Sequence, residues 1–259
     1  MRGPTIRKRV RRRATLMIVP QLDESDPKRN RLLAEMKPDD YVAVMASANV
    51  VSMKFRSRIN RQGQPVNHVY FPLSCMVSML VTTKDKAQLE MATVGREGVV
   101  GAAGLLLEHG APSLDLIQIP GMAVRIPADT FRGHLRSRPS VDALMNKHLY
   151  ALMRQILQGA VCNRLHSMEE GCARWLLMTH DRAGEDTFPL TQEFLSHMLG
   201  VRRATVNVAT GMLKKAGFIR YVRGYITVID RPGLESASCE CYQTIVEIYD
   251  SIILDGHRG

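Results

Sequence analysis

From Phe194 to Ile229 the chain contains no aspartate and no glutamate. The same span carries Arg202, Arg203, Lys214, Lys215, Arg220 and Arg223. A surface selected only for solubility mixes the two signs, so a one-signed stretch this long argues against a merely solvated face. Other absences narrow the field further. No apolar run approaches the roughly 18 residues of a membrane-spanning helix. The longest apolar stretch near the N-terminus, Leu16 to Val19, is too short for a secretory signal. Five cysteines without regular spacing argue against a disulfide framework. H-E-x-x-H, G-x-S-x-G, Walker and G-x-G-x-x-G motifs are all missing, so no enzymatic constellation emerges. These absences lead us to expect a soluble, cytoplasmic, non-enzymatic protein with no membrane partner.

What is present is organised around Leu190 to Lys215. Thr191 is placed to cap a first helix, because its hydroxyl can accept from the free N–H groups of the first turn. Phe194, Leu195 and Met198 give that helix one apolar face. Gly200 can take the positive φ that a tight break requires. A second helix is expected from Arg202 to Lys215, with Val206, Ala209, Met212 and Leu213 as its buried stripe. Arg202, Arg203, Thr205, Asn207 and Thr210 are expected to lie away from that stripe. This is a helix-turn-helix, whose second helix can enter a DNA major groove. Phe218 to Tyr221, Val222-Arg223-Gly224 and Tyr225 to Ile229 then read as strand, turn, strand. A hairpin directly after a recognition helix is a wing, with Arg223 at its tip near the sugar-phosphate backbone.

Charge is distributed to match. The formal net charge is +10, and seven basic side chains without an acid lie in residues 1–20 (Arg2, Arg7, Lys8, Arg9, Arg11, Arg12, Arg13). Together with the six of the 194–229 span they leave the rest mildly acidic. Basicity confined to one tail and one domain is the footprint of a nucleic-acid binder. Residues 1–27 are read as a disordered basic tail, either simply solvated or adding non-specific DNA affinity.

Residues 28–138 read as a β domain. Short helices are expected near Leu32, Leu33 and Met36 and from Asp39 to Ala46. Period-two segments follow at Val50–Arg56, Val66–Phe71, Met76–Thr82, Leu89–Val94, Asp115–Ile119 and Met122–Ile126. At least six short strands without crossover helices predict a sandwich or jelly roll. Ser140 to Leu165 reads as one long helix within residues 139–166. Met145, Leu149, Leu152 and Ile156 step by four, three and four, a coiled-coil-like seam suited to dimerisation. Residues 167–259 then hold a helix from Met168 to Arg182, the winged helix-turn-helix, and one last helix capped by Asp230. That helix carries Leu234, Ala237, Cys241, Ile245, Ile248 and Ile252. The fold class is therefore α+β: a jelly roll, a long dimerisation helix and a winged helix-turn-helix.

The run LTQEFLSHMLGVRRATVNVATGMLKKAGFIRY resembles the Crp/Fnr family of bacterial transcription regulators. His68-Val-Tyr-Phe-Pro72, Val77-Ser78-Met79 and Val94-Gly-Arg-Glu-Gly98 resemble the family's cyclic-nucleotide-binding-type jelly roll. The resemblance implies a homodimer that binds double-stranded DNA at two half-sites and works with RNA polymerase. It places Arg203 where the family's base- or phosphate-contacting arginine lies; from their position and charge, Thr191, Gln192, Arg202, Thr205, Asn207, Lys214, Lys215, Arg220 and Arg223 are expected to complete the DNA-contacting set. Ala204 stands where many members have an acid, and Val208 where they have a second arginine. In nucleotide-binding members a Gly-Glu pair holds the ribose and an arginine holds the phosphate. Here those positions read Gly101-Ala102 and Pro112-Ser113, a degenerate pocket that would leave a buried phosphate uncompensated. Cyclic AMP is therefore not expected, and no cofactor is.

Oxygen-sensing relatives hold an iron–sulfur cluster on N-terminal cysteines, but the first 74 residues here have none. Cys162 and Cys172 read as buried apolar residues. Cys239-Glu-Cys241 is placed on a helix, where i and i+2 diverge, so no metal site is expected there. His68, His148 and His166 stand singly and read as packing or surface residues.

Overall fold

The computed structural model describes residues 23–105 and 110–254. The basic run of residues 2–13 lies outside the described residues. Residues 23–27, assigned above to the tail, form a turn leading into a short 3-10 helix, Pro27–Arg29. Helices α1 (Arg31–Ala34) and α2 (Pro38–Met45) follow. Asn30 starts α1 by accepting from the N–H groups of Leu32 and Leu33, while its amide donates to the carbonyls of Pro72 and Gly98.

The β domain contains β1 (Asn49–Met53), β2 (Arg58–Asn60), β3 (His68–Pro72), β4 (Met76–Thr82), β5 (Gln88–Val94), β6 (Leu114–Ile119) and β7 (Gly121–Pro127). One antiparallel sheet has the order β1-β7-β3, the other β2-β6-β4-β5. A bridge between Tyr70 and Val100 links the first sheet to the glycine-rich segment. Alternation along the strands buries Val69, Phe71, Val124 and Ile126 in one core and Val77, Val94 and Ile117 in another.

Helix α3 (Ala128–Ser137), which apolar periodicity alone does not reveal, packs Phe131 edge-on against Phe71 at 5.6 Å between ring centres. Arg138-Pro139 then starts α4 (Pro139–Leu165). The four positions expected to form a dimer seam are wholly or partly covered within the protomer. Met145 and Leu152 are buried within the protomer, and Leu149 and Ile156 are half-buried, Ile156 against the second core. The exposed apolar face of α4 is instead Tyr150, Met153, Leu157, Val161 and Leu165. An apolar helix position does not say which neighbour covers it. Here the jelly roll and the C-terminal helix take one side and leave the other open.

Helix α5 (Met168–Ala183) opens with a capping box between Ser167 and Glu170 and ends at Gly184, φ 71°. Ala173, Leu176 and Leu177 face inward, as expected. Strand β8 (Thr187–Pro189), too short for alternation to mark it, leads to α6 (Gln192–Leu199) and α7 (Arg203–Lys215). Then come β9 (Ile219–Val222) and β10 (Tyr225–Val228), in a sheet ordered β8-β10-β9. The expected single last helix is two: α8 (Arg231–Ser236) and α9 (Cys241–Leu254). Helix α9 packs on α4 and α5. Tyr249 donates to Gln155 on α4 at 2.9 Å, and Arg31 pairs with Asp250 at 2.8 Å. Among the described residues no helix is long and apolar enough to cross a membrane.

Candidate nucleic-acid interface

The geometry of α6, α7 and the wing follows from a few local constraints. The Thr191 hydroxyl accepts from the Phe194 N–H at 3.1 Å, which fixes the start of α6. Gly200 ends that helix at φ 65°, the left-handed conformation that glycine adopts without strain. The turn delivers α7 across α6, and Phe194, Leu195 and Met198 of α6 and Val206, Ala209 and Leu213 of α7 are buried in the core.

Two assignments on α7 change. Thr210 is buried, its hydroxyl donating to the Val206 carbonyl at 2.8 Å, and Met212 is exposed. The buried face of α7 is thus Val206, Ala209, Thr210 and Leu213. With 3.6 residues per turn, the outward face carries Ala204, Val208 and Met212 stepping by four, flanked by Arg203, Asn207 and Gly211. Val208 is 60% exposed near the middle of that face. In the sequence Val208 stands out only as a missing arginine; its stepping by four from Ala204 is the signal that it faces outward.

Arg202, Arg203, Thr205, Asn207, Lys214, Lys215, Arg220 and Arg223 are all exposed. Among the described residues none of these cations has a carboxylate within ion-pair distance. Thr191 is exposed and Gln192 half-buried, its N–H donating to the Tyr221 hydroxyl at 3.1 Å. That bond joins the start of α6 to the wing. The wing turns on two residues with positive φ, Arg223 at 46° and Gly224 at 83°. A two-residue loop of this kind matches the twist of the paired strands. It projects the Arg223 side chain from the tip. The helix, its flanks and the wing therefore form one cationic surface of exposed donors, as duplex DNA requires.

The interface is held to the β domain by buried polar contacts. Arg182 on α5 donates to Glu97 through Nε at 2.9 Å and Nη2 at 2.7 Å, and both side chains are buried. Burial alone would raise the Glu97 pKa, but Arg182 and the Gly95 N–H hold it below the ordinary value. Trp175 Nε1 donates to Glu90 at 2.7 Å. Glu90 is half-buried as a residue, yet its Oε2 is buried without a hydrogen-bond partner, and burial pushes the pKa up to about 7. Phe194 meets Phe55 at 6.2 Å between ring centres, so α6 rests on the β domain.

The glycine series is a packing device. A Cβ on Gly98 would lie 2.5 Å from His148, and one on Gly101, φ 93°, would lie 2.9 Å from the His68 carbonyl oxygen. His148 is buried and its ring contacts the Val99 carbonyl at 3.0 Å; burial lowers its pKa to about 4. Ala102 is buried and Pro112 exposed. The Ser113 hydroxyl donates to buried Asp115 at 2.6 Å, and Asn60 donates to the same carboxylate at 2.7 Å.

The placement of Cys239-Glu-Cys241 on one helix is corrected. Cys239 lies in the link between α8 and α9, and Cys241 is the first residue of α9. They do not share a helix and need not diverge. Their thiols meet Cys162 and His166 from the end of α4, with all four donor atoms within 4.8 Å of one another.

Residues 172–237 match the Crp-like helix-turn-helix domain. No curated protein matches the chain in sequence. Solved structures share its fold. A protein from Eubacterium rectale, described as a transcriptional regulator of the Crp/Fnr family, is 14% identical. Its alignment covers 80% of this chain and 96% of its own, at a TM-score of 0.64. FixK2 from Bradyrhizobium japonicum is 18% identical over 74% of this chain and 98% of its own, TM-score 0.57. CLP of Xanthomonas campestris, described as a c-di-GMP-responsive global regulator, is 15% identical over 74% and 99%, TM-score 0.56.

Proposed function

We propose that this chain, a Crp/Fnr-type regulator by its Crp-like helix-turn-helix domain and its fold, is a homodimeric, sequence-specific DNA-binding protein that does not respond to cyclic AMP. The fold and domain are those of transcription regulators and not of enzymes. The observation that carries the reading is the exposed α7 face with its flanking cations, none of them paired with a carboxylate among the described residues. Arg202, Lys214, Lys215, Arg220 and Arg223 serve phosphates, and Thr191 and Gln192 fix the start of α6 beside the backbone. Arg203, Thr205 and Asn207 serve base edges, arginine suiting guanine and asparagine adenine. Val208 adds an apolar contact of the kind that reads a thymine methyl.

Dimerisation rests on the exposed α4 face of Tyr150, Met153, Leu157, Val161 and Leu165. A contiguous apolar spine of this kind on a helix surface is suited to a partner helix. Two copies paired there can set two α7 helices on half-sites about 34 Å apart. The reading on cyclic AMP is supported by Asp115. The buried Asp115 carboxyl occupies the Ser113 hydroxyl, which is therefore not free to donate to a cyclic phosphate.

Selection of the full chain on random duplex DNA tests the proposal. It should return a palindrome with half-sites about one helical turn apart, and adding cyclic AMP should leave the affinity unchanged. Recovery of no consensus would favour a non-specific architectural protein. Absence of any DNA binding would leave a ligand-binding module only.

A further inference from the structure

We propose that Cys162, His166, Cys239 and Cys241 form a closed tetrahedral site for one soft divalent cation of the zinc class, clasping the two ends of the DNA-binding unit. Cys162 lies in the last turn of α4 and His166 is the C-cap that follows it, its N–H donating to the Cys162 carbonyl, so the two side chains leave the same end of the helix and converge. Cys239 and Cys241 come from the link and the first turn of α9. Cys162 Sγ lies 3.4 Å from Cys239 Sγ, and Cys241 Sγ lies 3.4 Å from His166 Nδ1. Zinc bonds of 2.0–2.3 Å in a tetrahedron hold neighbouring donors about 3.3 to 3.8 Å apart. These two separations fall in that range, and the remaining donor pairs, all within 4.8 Å, need only a small side-chain closure to hold one ion. The cysteines are free, not disulfide-bonded.

The surroundings suit a metal better than they suit apolar burial. The three thiols pack on one another as a cluster of their own, separate from the aliphatic cores. Gln158 Nε2 donates to Cys241 Sγ at 3.1 Å, the kind of outer contact that orients a thiolate ligand. Three thiolates and a neutral histidine on a divalent cation carry net charge −1. Arg174, buried with its Nε unpartnered, supplies the balancing charge beside Cys162. Four protein donors leave no open position, so the site is structural rather than catalytic.

Its place in the chain gives it a role. Cys162 and Cys239 are 77 residues apart and bracket α5 to α8, the whole winged unit. The ion would fix where that unit leaves α4 and where it returns through α9. Because Cys162 and His166 alternate with the exposed Val161 and Leu165, it would also set the angle between the dimer face and the reading head. This inference stands whether or not the chain binds DNA.

The test uses the reduced full-length chain, purified without chelator. We expect one zinc per chain by elemental analysis. Cobalt(II) titrated into metal-stripped protein should give the intense visible bands of tetrahedral coordination with thiolate-to-cobalt charge transfer. Cys239→Ser and His166→Ala should each lose the stoichiometric metal, while Cys172→Ala, outside the cluster, keeps it. Gln158→Leu should weaken binding about 10- to 100-fold. Failure of the wild-type protein to take up either metal one-to-one would overturn the proposal, as would cobalt spectra without thiolate bands. Loss of metal in Cys172→Ala as complete as in Cys239→Ser would overturn the assignment of ligands. The wild-type titration decides even if a variant does not fold.

Discussion

Glu90 and Val208 show what single side chains contribute. Burial drives the Glu90 carboxyl up to about 7, from an ordinary value of 4.5. An acid with a raised folded-state pKa binds more protons folded than unfolded, so its contribution to stability falls as pH rises from 4.5 to 7. Glu90→Gln removes that dependence. We expect the variant to match the wild type near pH 5 and to exceed it by up to about 3 kcal/mol at pH 8. Urea denaturation at the two pH values measures the difference. A Glu90→Gln protein no more stable than wild type at pH 8 would show that the carboxylate is solvated. Val208, at the middle of the α7 face, is expected to give about 1 kcal/mol of preference for a thymine over its alternatives. Competition binding of Val208→Ala on single-base variants of the selected site checks this. The acid-free span makes the arginines legible in the sequence; Val208 carries no charge to mark it, and only its step of four from Ala204 signals that it faces outward.

At the scale of elements, the Glu97–Arg182 pair joins the glycine-rich segment to α5, and both partners are buried. Removing one member leaves the other charge uncompensated. Arg182→Met should therefore cost roughly 3–5 kcal/mol in chemical denaturation. A loss below about 1 kcal/mol would mean that water reaches the pair. The exposed α4 face makes a second prediction: Leu157→Glu should convert a dimer to a monomer in sedimentation, with the helix content kept. Met145→Glu, in contrast, should unfold the protomer. Strands are legible from their short β-rich segments bounded by turns, and β4 runs over Met76–Thr82 as expected, although its first five residues are buried on both faces. Helix α3 is not, since Arg132, Gly133, His134 and Arg136 mask its few apolar contacts. The break between α8 and α9 is hidden too. Ala237 to Glu240 contains no glycine or proline to announce it. Which apolar side of α4 the protomer itself covers is hidden in the sequence pattern, because α4 has apolar residues on more than one side.

For the whole molecule, charge separation is the governing feature. The tail and the 194–229 span are basic and the remainder is not. If a dimer neutralises about 6–10 phosphates, its affinity should fall about 10³- to 10⁵-fold between 50 and 200 mM salt. A flat salt dependence would contradict an electrostatic grip. Architecture is legible because each part carries its own period: two in the β domain, near 3.6 in α4 and α5, and a helix–turn–helix–hairpin series after Leu190. Convergence of Cys162 and His166 with Cys239 and Cys241 is not, since only the folded chain brings segments 77 residues apart together. The most direct measurement is the affinity of Arg203→Ala/Asn207→Ala in the intact dimer, on its selected site and on a scrambled duplex. We predict that discrimination between the two duplexes drops by about 1–3 kcal/mol per lost base contact, while binding to the scrambled duplex barely changes. Undiminished affinity and undiminished selectivity would contradict the placement of the reading surface on α7.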